Sequence, residues 1–223
     1  MHRRRLFQAL SAAMLGGVHI APPALPVART PTPTPTAAAT PDQDAVLFGA
    51  KGVERYVTRA FGAAGPTIVG PAVLLCGVAL FSSDEAAEAA MSLTLDGYIE
   101  LMAETFDPAP LRKASVRDID ADAAMAYAGT VPFLDPDNPF GEVTFVLLAA
   151  QRGTVLRVML CAALVEDPFP YITSVYDVIV RRKPSDDPET LEDGYHTGGV
   201  WDMLPTIDDV PSGLVFHEDT DEP

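Results

Sequence analysis

Residues 145–160 have the sequence FVLLAAQRGTVLRVML, and this stretch decides the fold. Two apolar runs flank Gln151, Arg152 and Gly153, a connection short enough for a tight turn, so the stretch predicts an antiparallel β-hairpin. A further apolar run, AVLLCGVALF at 72–81, has the length and the Val and Leu content of a buried strand. Together they predict an antiparallel sheet at the centre of a domain.

Helical signals surround these strands in the sequence. Ser82 and Glu85 in the segment SSDE can exchange hydrogen bonds as a capping box, which predicts that a helix begins there. Further helices are predicted over 42–63, from apolar residues at mixed helical spacings, and over 168–183, which ends in a basic turn.

A short strand predicted at 123–127 completes the set of elements. The order is helix, strand, helix, short strand, hairpin and helix, which is typical of a sheet covered by helices. We therefore predict an α+β fold, in which an antiparallel sheet of about four strands is covered by helices on one face.

The negative charge of the chain is concentrated at its end. The 223 residues include 31 acidic and 15 basic ones, for a net charge of -16. The segment 184–223 alone holds twelve acidic residues and no Lys or Arg. An acidic chain is a poor partner for nucleic acids and anionic membranes, because binding to both depends on Lys and Arg. We expect no nucleic-acid partner, and membrane contact only through the N-terminal segment.

Residues 1–28 are predicted to be an export signal. Basic residues at the start precede a mostly apolar run that ends near Ala21, a pattern typical of secretory signals. Arg4-Arg5-Leu6-Phe7 also fits a twin-arginine signal loosely, a pathway that carries folded proteins. Two alternatives stay open, a cleaved signal and an uncleaved anchor, and both place the chain outside the cytoplasm, secreted or tethered.

Three further regions follow the signal. Residues 29–41 are rich in Pro and Thr and are predicted to be a semi-rigid spacer. Residues 42–183 are the predicted α+β domain, and residues 184–223 are an acidic C-terminal segment.

Several phrases of the sequence resemble a loosely defined group of secreted bacterial α+β domains, which occur as lipoproteins or as extracytoplasmic sensor modules. These phrases are VALFSSDEAAEAAM at 78–91, AMAYAG at 124–129, the hairpin at 145–160, YITSVYDVIVRR at 171–182 and MLPTIDDVPSGLVF at 203–216. The resemblance implies an exported, non-enzymatic binding or sensing module, and it transfers no site residues.

Two cysteines and one apolar segment are the candidate functional features. Cys76 and Cys161 lie in predicted strands, where they form either a disulfide between neighbouring strands or two separate buried thiols. Within the acidic segment, apolar residues predict either packing on the uncovered face of the sheet, which we favour, or a docking peptide. The residues that would carry docking are Trp201, Leu204, Ile207 and Phe216.

Motifs for catalysis and for cofactor binding are missing from the sequence. There is no G-x-S-x-G, Walker loop, G-x-G-x-x-G or H-E-x-x-H, and we assign no catalytic, cofactor or metal residue. The acidic runs 118–122 and 135–138 lack the Gly and Glu positions of a calcium loop and are interpreted as turns and caps. His196 and His217 are predicted to be solvated.

We therefore predict a non-catalytic exported module that binds an envelope protein or a small apolar ligand. One alternative is a hydrolase that uses dispersed carboxylates such as Asp118 and Asp120. Another is a surface protein that collects divalent cations weakly through its acidic segment.

Overall fold

One seven-stranded antiparallel sheet organises the chain in the computed structural model. The structure describes residues 50–63, 70–134, 141–164, 167–192 and 195–216. The predicted export signal, the spacer, the acidic run 135–138 and His217 lie outside the described residues.

The elements follow one another along the chain with short connections. They are β1 Val53–Ala63, β2 Pro71–Phe81, α1 Asp84–Met102, β3 Arg112–Ala114, β4 Ala123–Pro132, β5 Glu142–Arg152, β6 Val155–Ala163, α2 Phe169–Ile179, β7 Thr190–Glu192, β8 Tyr195–Thr197 and β9 Leu214–Phe216. Two 3₁₀ helices, Gly199–Met203 and Ile207–Asp209, lie between β8 and β9. The order in the large sheet is β3-β4-β5-β6-β2-β1-β9, and β7 and β8 form a separate hairpin.

The predicted hairpin and buried strand form the centre of this sheet. β5 pairs with β6 from Thr144 opposite Ala163 to Arg152 opposite Val155, and β2 lies on the other side of β6. Nearly every residue of β2 is buried, because both faces of the sheet are covered at this position. This is why the sequence of β2 is continuously apolar rather than alternating.

The two helices cover opposite faces of the sheet. Ala87, Met91 and Leu95 of α1 pack on one face, together with Leu75 of β2. Ile172, Val175 and Tyr176 of α2 belong to a second cluster on the other face. We call these the α1 face and the α2 face.

The fold-class prediction was therefore wrong in both strand number and layering. The sheet has seven strands instead of about four, and helices lie on both faces. β3 and β9 have three residues each, which is too short to leave a periodic signal, and both exist through pairing with longer neighbours.

The region 42–63 was also predicted incorrectly. Its described part forms β1, in which Tyr56 packs on the α1 face while Val57 and Phe61 pack on the α2 face. Nine residue pairs join β1 to β2. This pairing outweighed the weak helical spacing, as tertiary context often does.

The helix after β2 was predicted correctly, but its cap lies one residue later. The Oγ of Ser83 accepts a hydrogen bond from the backbone N–H of Ala86 at 3.2 Å, so Ser83 and not Ser82 is the N-cap. The second helix stops at Ile179, short of the predicted 183. In the part of the chain that the structure describes, no helix combines the length and apolar character needed to span a membrane.

Candidate functional site

The described part of the acidic segment, residues 184–192 and 195–216, lies against the α2 face and is called the C-terminal strap. Its buried apolar residues are Val200, Met203, Leu204 and Leu214, and all four belong to the same cluster as α2. Its last strand, β9, pairs with β1 at one edge of the sheet. The strap therefore covers part of the sheet that α2 leaves open.

Arg59 of β1 holds the strap by its main chain. Its guanidinium donates to the carbonyl oxygen of Pro205 at 2.8 Å and to that of His196 at 2.5 Å, and it lies 4.1 Å from the ring centre of Tyr195. Burial lowers the pKa of Arg59, although Tyr195 opposes this shift. A cation placed over an aromatic ring and bonded to carbonyls is well compensated without a carboxylate.

Arg182 makes the second link to the strap. One amino group donates to the carbonyl oxygen of Leu204 at 2.8 Å, and the other contacts both carboxylate oxygens of Asp209 at 2.9 Å. Asp209 also accepts hydrogen bonds from the N–H and hydroxyl of Thr206, at 2.6 and 2.7 Å. Burial would raise the pKa of Asp209, but these hydrogen bonds and the charge of Arg182 lower it overall.

Arg157 of β6 binds the main chain of Arg182. It is only 2% exposed and donates to the carbonyl oxygen of Arg182 at 3.0 Å, while its Nε has no partner among the described residues. Burial lowers its pKa to about 10. Because its hydrogen bond fixes the residue that binds Leu204 and Asp209, Arg157 helps to position the strap.

Two aromatic pairs, Tyr195 with Phe216 and His196 with Trp201, lie where the strap reaches the edge of the sheet, and we call these two pairs together the aromatic cluster. All four side chains are half-buried. The rings of Tyr195 and Phe216 are 5.0 Å apart, and those of His196 and Trp201 stack at 4.3 Å and 11°. Leu191 lies opposite His196 in the β7–β8 hairpin and is 59% exposed. Exposed apolar and aromatic side chains grouped in this way are typical of protein contacts.

The predicted docking residues do not lie on one surface. Leu204 is completely buried, so it belongs to the core, whereas Ile207 is 46% exposed. Trp201 and Phe216 both join the aromatic cluster. The segment therefore packs on the sheet and still presents part of its aromatic surface to solvent.

Sequence reasoning did not single out the arginines or Tyr195. One usable signal was present, because Arg59 and Arg157 each interrupt an apolar strand sequence. A charge at such a position has to find partners when the strand is buried. Which partners they find depends on how the strap folds back, and this is decided by tertiary contacts.

Cys76 and Cys161 lie on neighbouring strands as free, buried thiols. Cys76 is opposite Met159, and Cys161 is opposite Leu74, so the two cysteines are diagonal neighbours. Diagonal neighbours in a sheet are about 7–8 Å apart, whereas the Cα atoms of a disulfide are usually about 5.5–6 Å apart. The register therefore favours separate thiols.

Asp118 and Asp120, the carboxylates of the hydrolase alternative, lie in the connection between β3 and β4. The carboxylate of Asp120 is shared by Arg152 at 3.1 Å and Arg181 at 3.3 Å. Asp118 has a φ of 59°, which is the conformation of a turn residue. Within the described ranges, no group of three or more His, Cys, Asp or Glu side chains is placed to hold a metal ion.

Comparison with solved structures shows a distant structural similarity. No protein-family model matches the chain, and no curated protein matches its sequence. The extracellular domain of PknH from Mycobacterium tuberculosis is similar at a TM-score of 0.36 and 11% identity, over 57% of this chain and 63% of that one. The chain thus spans less than two thirds of that domain. A similarity of this size does not establish a common fold or a common function.

Proposed function

We propose that the protein is an exported, non-catalytic binding or sensing module that binds a partner protein at the bacterial cell envelope. The observation that carries the proposal is the aromatic cluster with the exposed Leu191 beside it. Arg59 contacts the ring of Tyr195 and the carbonyl oxygen of His196, so this part of the cluster is held in place before any partner arrives. Ordered aromatic groups bind at a low cost in conformational entropy.

The chemistry around the cluster supports binding rather than turnover. Arg59 and Arg182 donate to main-chain carbonyls and to Asp209, so their charges serve to position the strap. Export is supported by the sequence of residues 1–28 and by the spacer that follows. A tether of that kind would present the folded domain to other envelope proteins.

Crosslinking from a single position tests the proposal. A photoreactive phenylalanine analogue is placed at Leu191 in the full chain, expressed in its natural host. The matched control carries the analogue at Leu93 on the outer face of α1, which is 46% exposed. We expect one defined protein adduct from position 191 in the envelope fraction and none from position 93.

Leu191→Asp supplies the second arm of the test. An exposed position tolerates such a change within about 0.5 kcal/mol, so the protein stays folded. If the cluster is the binding surface, the Leu93→Asp chain still captures the partner protein, whereas the Leu191→Asp chain does not. Adducts of equal yield from both positions, or none from either, would contradict the proposal. Retention of a small apolar molecule without any protein adduct would contradict it as well.

A further inference from the structure

In the described part of the chain, the outer edge of β1 is paired over only part of its length. β1 is eleven residues long, but β9 pairs only with Phe61, Gly62 and Ala63. For residues 53–60 the described part of the chain contains backbone pairing to β2 alone. About half of the N–H and C=O groups of an antiparallel strand point away from a given neighbour. Those of residues 53–60 that point away from β2 have no backbone partner in the described part of the chain.

The edge of β1 also lacks the usual protection against pairing. Edge strands are commonly protected by Pro, by exposed charges or by short length. The opposite edge of the sheet shows this protection, because β3 has only three residues and exposes Arg112 and Lys113. β1 contains no Pro, and both its arginines are engaged, Arg55 by Glu189 and Arg59 by the strap. Between Tyr56 and Ala60, the described residues of β1 therefore carry no unpaired charge.

The charge around this edge defines the chemistry of an occupant. The strap contains seven acidic residues and no Lys or Arg, and the ion pairs of Glu189 with Arg55 and of Asp209 with Arg182 engage two of the seven. Glu54, at the start of β1, is exposed. An added segment that carried Lys or Arg would thus meet complementary charge, whereas an acidic one would be repelled.

We propose that an extended, basic segment of the partner protein binds to the outer edge of β1 as an additional strand. The inference rests on the proposed function and specifies how that partner is bound. Main-chain hydrogen bonds to residues 53–60 give affinity, as in other cases of β-strand addition. The basic side chains give selectivity, because they neutralise the acidic strap.

Amide hydrogen exchange of the full exported chain tests the proposal with a defined probe. The probe is a synthetic peptide of about eight residues, which alternates Thr or Val with Lys and matches the length of the open edge. Two control peptides replace every Lys by Glu, or every second residue by Pro. We expect the Lys peptide alone to slow exchange of outward amides in 53–60 about tenfold.

A pair of variants localises the effect. Thr58→Lys places a charge on the proposed edge, and Thr130→Lys places one on β4, where Thr130 is exposed. We expect the first to weaken binding of the Lys peptide about tenfold and the second to leave it unchanged. The inference is overturned when the Lys peptide protects no amide in 53–60, when all three peptides act alike, or when these amides are already protected without a peptide. If crosslinking from Leu191 still succeeds, only this inference fails and the proposed function stands.

Discussion

The replacement of Leu204 by Ala is the sharpest test of the strap as part of the core. Leu204 is completely buried on the α2 face, and the carbonyl of the same residue accepts a hydrogen bond from Arg182. Ile207 lies three residues away in the same strap and is 46% exposed. Ile207→Ala is therefore a matched control that removes apolar atoms without opening the core.

The expected loss follows from the burial of Leu204. Each buried methylene-sized group contributes about 0.8 kcal/mol, so the three groups that the change removes account for about 2.4 kcal/mol. The cavity left behind raises the expected loss of unfolding free energy to about 3–4 kcal/mol. With a urea dependence of about 2 kcal/mol per molar, the midpoint should fall by about 1.5–2 M. Ile207→Ala should cost less than about 1 kcal/mol.

Two probes make the assay specific to the strap. Trp201 is the only tryptophan, so its fluorescence reports on the strap, while far-UV circular dichroism reports on the sheet. We expect the two urea transitions to coincide, because the strap and sheet share one core cluster. Equal, small losses for Leu204→Ala and Ile207→Ala would refute this reasoning. So would a fluorescence transition that precedes the sheet transition and leaves it unchanged.

Three further predictions concern pH, capping and thiols. Since the folded pKa of Asp209 is lowered, its contribution is complete above its ordinary pKa of 3.8 and is lost as the pH falls through the lower folded value. Asp209→Asn should therefore be about 2 kcal/mol less stable than the wild type at pH 7. Its unfolding free energy should also fall less than that of the wild type in acid titrations. Equal losses in acid for the variant and the wild type would contradict the role of the Asp209–Arg182 pair. Ser83→Ala should lower the unfolding free energy by about 1 kcal/mol in urea titrations, and the control Ser82→Ala should lower it by less. A larger loss for Ser82→Ala than for Ser83→Ala would show that Ser82 is the N-cap. Burial raises the pKa of both cysteine thiols, so a thiol reagent should modify neither in the native protein and both after denaturation. Mass analysis should show no deficit of two hydrogen atoms, because that deficit would indicate a disulfide.

Local sequence patterns predicted an element correctly where the residues that define the element are close together in the chain. The hairpin of β5 and β6 has two long apolar runs and a tight connection, and α1 has a cap and an apolar stripe. The hairpin and the capped helix can be recognised without the tertiary structure because their apolar groups and turns lie within a few residues of one another. The prediction failed for β1, whose strand state depends on nine pairs formed with β2.

The candidate site was predicted only in part, for a related reason. Trp201 and Phe216 could be selected as aromatic residues in an acidic segment, but nothing local separates them from Leu204. The separation depends on the direction in which each side chain points once the strap lies on the sheet. Tyr195 and Arg59 are 136 positions apart by their numbers, yet they form one cation–aromatic contact.

The sequence by itself determined the central antiparallel strands, the capped helix, the acidic end and the absence of a familiar catalytic motif. Each of these features depends on residues that are close together in the sequence, so local interactions are enough to predict it. Only the tertiary structure decided that the sheet has seven strands, that the helices lie on opposite faces, and that Arg59 and Arg182 bind the strap while Arg157 binds the carbonyl of Arg182. Those features arise from hydrogen bonds and burial between distant segments, whose partners exist only after the chain has folded.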